Sequence, residues 1–356
     1  MSAAPYGHDG ADRVTDGPKG PPAADAAADA AADAAPGTGP GTGADSAPGP
    51  GLYGPRSVTW QCHADPVMWI AGVRALYLQA LHPRAVRGVM ENSDFRRDAW
   101  GRLLRTADFV GTLTYGTTEA AERAGARVRA IHRGLSATDP ATGERFPVDD
   151  PELLLWVHCA QIDSFLHILR RSGVPLTDAQ ADRYVDENRV NARLVGLDPV
   201  GVPATTAGLA AYFDEIRPRL AVGADARAVD DFLRSPPTHP VLVPGRNLLW
   251  RPLADLAYGT LPAYAHRLYG RPAPASPTVT RRLRLTGLAL RSVPADLRWQ
   301  LPPGHILRAM RRMGPGSRPS PHALRTSAAI LDRPGRVERD HEHDDGGGSR
   351  TWLSPD

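Results

Sequence analysis

The sequence predicts one all-α domain, residues 52–313, between two tails. Apolar residues recur at helical spacing in segment after segment, sustained β-alternation is nearly absent (Val241–Pro244 is too short to count), and strong helix-start signals precede the clearest segments. Residues 1–51 are almost wholly Ala, Asp, Gly, Pro, Ser and Thr, with an Ala/Asp run at Ala23–Ala35 and a Gly/Pro-rich run at Pro36–Pro50. Such a stretch buries too little apolar surface to offset its ordering entropy, so a disordered tail is expected. The same is expected of residues 314–356, which begin Gly-Pro-Gly-Ser and later turn into a charged His/Asp/Gly run.

Within the domain the first helix is expected over Pro66–Leu81, stopped by His82-Pro83. The second covers Asp98–Gly111, with Ala99, Leu103, Thr106, Val110 and Leu113 at helical spacing. The third starts at the Thr117-Thr118 cap and runs to Leu135, with Glu119 and Glu122 where the helix dipole favours anions. The fourth has the clearest start: Asp150 caps it and Pro151 takes the first helical position. It runs to Arg171, ends at Gly173 and is apolar nearly all round, as a central buried helix should be. The fifth opens on the capping box Thr177–Gln180 and is expected to reach Gly196. Later helices are expected at Thr206–Leu220, Ala226–Leu233, Arg246–Ala257, Leu261–Tyr269, Thr278–Arg291 and His305–Arg312.

Composition narrows the chemistry. The net charge of +3 is too small to argue for a nucleic-acid partner, and none is expected. Lys19 is the only lysine, so a single arginine carries little information. Cys62 and Cys159 form no motif, and the chain opens on no apolar leader, which points to a reducing, cytoplasmic setting. The longest apolar stretch, Val67–Leu81, is interrupted by Arg74 and is too short to span a bilayer. Zinc spacings, Glu-x-x-His on a core helix, Gly-x-Ser-x-Gly, a P-loop and GxGxxG are all missing.

Four of the twelve histidines merit weighing. His8, His322, His341 and His343 fall in the tails, and His63, His239, His266 and His305 sit beside turns or charged residues. His132 shares a helical face with Ala121, Ala124, Val128, Ile131 and Leu135. A buried imidazole needs partners for both nitrogens: either a metal and an acceptor, or two hydrogen bonds within the core. His158, on a face with Leu154, Gln161 and Phe165, is open to the same two roles. His167 is expected to cap its helix or face solvent, and His82, before Pro83, to serve a cap or turn. Arg102 and Thr106 lie four residues apart beside Phe109 and Val110, with Arg105 next to them. They suit either a pocket wall that places polar groups near a small ligand, or an amphipathic helix whose arginines snorkel to water.

The ordered set Leu81-His82-Pro83-Arg84-Ala85-Val86, Asn92-Ser93-Asp94-Phe95, Arg102-Leu103-Leu104-Arg105-Thr106, Tyr115-Gly116-Thr117, Val128-Arg129-Ala130-Ile131-His132 and Leu155-Trp156-Val157-His158 resembles the MpaB/latex-clearing (rubber oxygenase) catalytic-domain family. Gly173-Val174-Pro175-Leu176, Leu194-Val195-Gly196-Leu197 and Val293–Arg298 extend the resemblance over most of residues 54–312. The resemblance implies an all-helical fold with a globin-like core, a b-type haem, and cleavage of a C=C bond in an apolar, isoprenoid- or lipid-like substrate with O₂. It implies His132 as the iron ligand, with His158 as the competing choice, and a distal polar set of Arg102, Arg105 and Thr106. Arg105 departs from the lysine of the rubber oxygenases. A guanidinium stays protonated and cannot serve as a neutral amine ligand.

Two other classes stay open on the sequence. One is a helical protein that binds haem or a hydrophobic ligand without turnover. The other is a weak peripheral membrane or nucleic-acid binder, drawn from Arg281–Arg312, where Arg281, Arg282, Arg284, Arg291, Arg298, Arg308, Arg311 and Arg312 face only Asp296 as a carboxylate.

Overall fold

Helix follows helix in the computed structural model, which describes residues 51–93, 99–239, 241, 243–300, 304–321 and 324. Both expected tails lie outside these residues, except for Gly51 and the start of the C-terminal one. The helices are α1 (Val58–His63), α2 (Met68–Gln79), α3 (Pro83–Asn92), α4 (Ala99–Tyr115), α5 (Thr118–Arg133), α6 (Pro151–Arg171), α7 (Asp178–Glu187), α8 (Arg189–Leu194), α9 (Thr206–Ile216) and α10 (Ala224–Arg234). A short helical segment from Val243 passes through a π-turn at Arg246–Trp250 into α11 (Arg251–Gly259). Then come α12 (Ala263–Tyr269), α13 (Ser276–Ser292), α14 (Ala295–Arg298) and α15 (His305–Met313). An antiparallel pair of three-residue strands, β1 (Ser136–Thr138) and β2 (Arg145–Pro147), joins α5 to α6, with Ala137 opposite Phe146.

The centre of the core is α6, as its all-round apolar pattern predicts. Asp150 caps it, accepting from the Glu152 amide at 2.8 Å, and Pro151 fills the first position. Trp156, Ile162, Ile168 and Leu169 of α6 are buried with Ile70, Val73, Tyr77 and Leu78 of α2, and the two helices pack along their lengths. Arg74, which interrupts the apolar run of α2, is buried but paired. It donates to Asp163 Oδ2 and Ser164 Oγ, each at 2.8 Å, and to the Thr260 carbonyl at 3.4 Å.

Several elements differ from expectation. His82-Pro83 does end α2, and it also starts α3. His82 Nδ1 accepts from the Ala85 amide at 3.4 Å, and Pro83 has the φ that a first turn needs. The expected fifth helix is two, α7 and α8, pivoting at Asn188. The Asn188 side chain is buried and donates to Thr59 Oγ1 at 3.1 Å and to the Tyr184 carbonyl at 2.7 Å, so tertiary contacts set the break. The capping box that opens α7 forms in full.

The described chain continues beyond the expected domain boundary at 313. Past α15 the chain folds back as a turn at Pro315–Ser317 and packs as far as Leu324. The indole of the fully buried Trp60 donates to the Ser317 carbonyl at 3.0 Å, Gln180 Nε2 donates to the Leu324 carbonyl at 2.6 Å, and Arg318 pairs with Asp296 at 2.8 Å. Truncation after Met313 leaves the buried Trp60 indole N–H without its acceptor. It is expected to cost about 1–3 kcal/mol, read as a lower denaturation midpoint.

Candidate functional site

The helices α4 and α5 form an antiparallel hairpin closed by Gly116-Thr117, where the Thr117 hydroxyl caps α5 by accepting from the Ala120 amide at 3.1 Å. Near the turn the hairpin is packed. Leu113, Thr114 and Tyr115 of α4 and Ala121 and Gly125 of α5 are buried. A Cβ on Gly125 would stand 2.7 Å from the Leu194 carbonyl oxygen, so this glycine lets α5 lie directly on α8. Arg129 adds a hydrogen bond to the same carbonyl at 2.6 Å.

Away from the turn, burial falls on both helices together. No described side chain from Leu103 to Thr112 is buried, and none from Ala126 to Arg133. Arg102 stands 14 residues before Gly116 and His132 stands 15 after Thr117. At a rise of about 1.5 Å per residue, both lie roughly 21–22 Å along their helices from the turn, at the same open end. The Arg102 side chain lies outside the described residues. Arg105 is half-buried and Thr106 exposed; both have interaction partners.

His132 does not sit sealed in the core. Val128, Ile131, His132 and Leu135 are half-buried, so the apolar stripe borders an incompletely covered face. Its Nδ1 atom is nevertheless buried and has no hydrogen-bond partner. Burial lowers the ring's pKa and the charge of Asp149, just before α6, partly opposes that. The ring is therefore neutral near pH 7, the state a metal ligand requires. The donor chemistry is compatible with ligation: an orphaned, neutral imidazole nitrogen on a half-covered apolar stripe. Among the described residues no group of three His, Cys, Asp or Glu side chains forms a cage for a bare ion. A haem iron asks for one axial side chain rather than a cage.

His158 lies one turn beyond Leu154, which packs in a small cluster with Ala192, Leu197 and Val202 beside α8. Burial lowers its pKa to about 4, so it too is neutral. The principal contacts of α6 are with α2, α3, α7, α8 and α13, while α5 packs on α4 and α8. The two histidines thus share α8 as a neighbour but come from different helix pairs.

His63, His82, His167, His266 and His305 have protein partners. His82 caps α3 as expected, with Nε2 3.5 Å from Glu152. His167 neither caps nor faces solvent. It lies 3.3 Å from Arg171, and burial together with Arg74 and Arg171 takes its pKa to about 3; Ser172 takes the cap position. His63, discounted on its sequence surroundings, is half-buried between α4 and α7. Thr114 Oγ1 gives its proton to the Val110 carbonyl at 2.8 Å, so His63 Nδ1–H donates to Thr114 at 2.8 Å. Its Nε2 then accepts from the Tyr184 hydroxyl at 2.8 Å, and burial takes its pKa to about 3. His305 pairs with Asp108 at 2.9 Å and lies on Gly111, where a Cβ would stand 2.3 Å from the imidazole, so α15 is keyed onto the site helix α4. No local pattern marks either contact, because both join segments far apart in the chain.

The fold is that of an all-α domain, with His132 at the end of α5 remote from the hairpin turn. The chain belongs to the family described as ER-bound oxygenase mpaB/B'/Rubber oxygenase, catalytic domain, whose model matches residues 60–292. It is an oxygenase domain of that family, and the match spans α2 to α13 whole. No curated protein and no solved structure matches the chain. No helix among the described residues is long and apolar enough to cross a membrane.

Proposed function

We propose that this domain is a haem b-dependent oxygenase that cleaves a C=C bond of an apolar, isoprenoid- or lipid-like chain, with His132 as the iron ligand. The buried, unpartnered Nδ1 of a neutral His132 carries the reading. Haem, when bound, supplies the activation of O₂. The chain's own residues do the rest. The neutral His132 ring holds the cofactor. Arg102, Arg105 and Thr106 bring donors to the end of the hairpin where charge develops on oxygen. The half-buried Leu103, Phe109, Val128 and Ile131 exclude water and align an alkene. The reaction balances without an outside reductant: the C=C bond breaks, both atoms of O₂ end in the products, and two carbonyl fragments leave. The two free, buried thiols, Cys62 and Cys159, support a reducing, cytoplasmic setting.

The test is the visible spectrum of the purified, haem-reconstituted protein beside His132→Ala and His158→Ala. A Soret band in wild type and His158→Ala, lost in His132→Ala, is the expected result. Loss only in His158→Ala moves the ligand to α6, and no band in wild type removes haem from the reading. A band without O₂ uptake on addition of a long isoprenoid alkene such as squalene leaves a haem-binding protein without turnover.

A further inference from the structure

We infer that α13 is a docking face for an anionic lipid surface. Val279, Leu283 and Gly287 bury one side of this helix. The opposite side centres on Arg281, Leu285, Leu288 and Ser292, all exposed, with Arg284 and Arg282 on its two flanks. Leu285 is 56% exposed and Leu288 63%, and just past the helix Val293 at 38% and Leu297 of α14 at 58% are exposed too. Large aliphatic residues bared this far and this close together mark an interaction surface rather than scatter.

Charge says what the surface meets. The sequence Ser276–Ser292 contains no Asp or Glu, and Arg281, Arg282 and Arg284 make no ion pair among the described residues. Beside Leu285 lies an open groove of about 450 Å³ lined by Ser276, Pro277, Thr280, Arg281, Arg284 and Leu285. Arg171 stands behind it, donating to Ser276 Oγ and Thr280 Oγ1, each at 3.0 Å, so a third guanidinium adds positive charge and no carboxylate lines the groove. Exposed leucines interleaved with Arg281 along the centre of the face, with Arg282 and Arg284 on its flanks, suit a helix lying in a membrane interface. The aliphatic groups enter the acyl boundary and the guanidiniums bind phosphate headgroups. The inference stands independently of the haem reading, because it concerns binding alone. If both hold, the enzyme docks where an apolar substrate is dissolved.

The 356-residue chain is sedimented with vesicles of phosphatidylcholine alone, or with about one third phosphatidylglycerol, at low and physiological salt. The expected result is binding to the anionic vesicles only, weakened by salt. Arg281→Glu/Arg284→Glu is expected to lower the partition coefficient at least about tenfold. Leu285→Ser/Leu288→Ser should lower it as well, and circular dichroism should match wild type for both variants because all four side chains are exposed. The inference is overturned by equal binding to neutral and anionic vesicles, by variants that bind like wild type, or by retention on nucleic acid without vesicle binding. Concentration-dependent self-association abolished by the leucine variant, with no vesicle binding, reassigns the face to a second copy of the chain and also overturns it.

Discussion

Glu187→Ala is expected to cost about 3–5 kcal/mol of folding stability, a large share of what a domain of this kind has. The Glu187 side chain is completely buried at the end of α7. Its carboxylate accepts from the Val58 amide at 3.2 Å, the Thr59 amide at 2.8 Å and the Thr59 hydroxyl at 2.7 Å, and from Arg183 at 3.2 Å. Val58 and Thr59 open α1, so the carboxylate sits on free amides at the positive end of that helix. Burial pushes its pKa up, and these donors pull against that shift. Removing it strands two helix-terminal amides, a hydroxyl and one partner of Arg183, whose Nη2 is already buried without a partner. The denaturant midpoint in urea should fall steeply. Glu187→Gln, which keeps one acceptor oxygen, should fall by less. A loss under about 1 kcal/mol for the alanine variant would mean that water replaces the carboxylate.

Glu187 also shows where the sequence stops being informative. The signals that read correctly are local: Asp150-Pro151 at the start of α6, the Thr177–Gln180 box, and Thr117 before α5. Each depends on atoms a few residues apart. The break at Asn188, the hydrogen bonds of His63 to Thr114 and Tyr184, and the return of the chain to Trp60 and Gln180 after Met313 depend on partners from distant segments, and no period records them. Proline misled in one place: Pro83 ends α2 and opens α3, and only the stop was read. The site was half legible. Periodicity identified the stripe that carries His132, but a stripe says which side of a helix is apolar and not what covers it. The partial exposure of Val128, Ile131 and Leu135 depends on what neighbouring elements lay over that stripe, which the periodicity of one helix does not record.

Stability is expected to be flat above about pH 6.5 and to fall as pH drops below it, with most of the loss by about pH 4. The sign follows from the histidines. His63 and His167 have folded-state pKa values near 3 and His158 near 4, all lowered first by burial, against about 6.5 in the unfolded chain. Between those values the unfolded chain binds protons that the folded one refuses, so acid favours unfolding. His82, His132 and His266 are also lowered by burial and act in the same direction. Glu187 opposes them, because its raised pKa lets the folded state take up a proton first. One carboxyl cannot balance three deeply shifted imidazoles. At about 1.4 kcal/mol per pH unit for each, the three outweigh it within two units and approach the whole stability of a domain. Thermal melts followed by circular dichroism from pH 7.5 to 4.5 check this, and a Tm that does not change over that range rules it out. His63→Gln separates one contribution: an amide can keep the contacts to Thr114 and Tyr184 but does not titrate, so its Tm should fall less steeply with acid than that of the wild type.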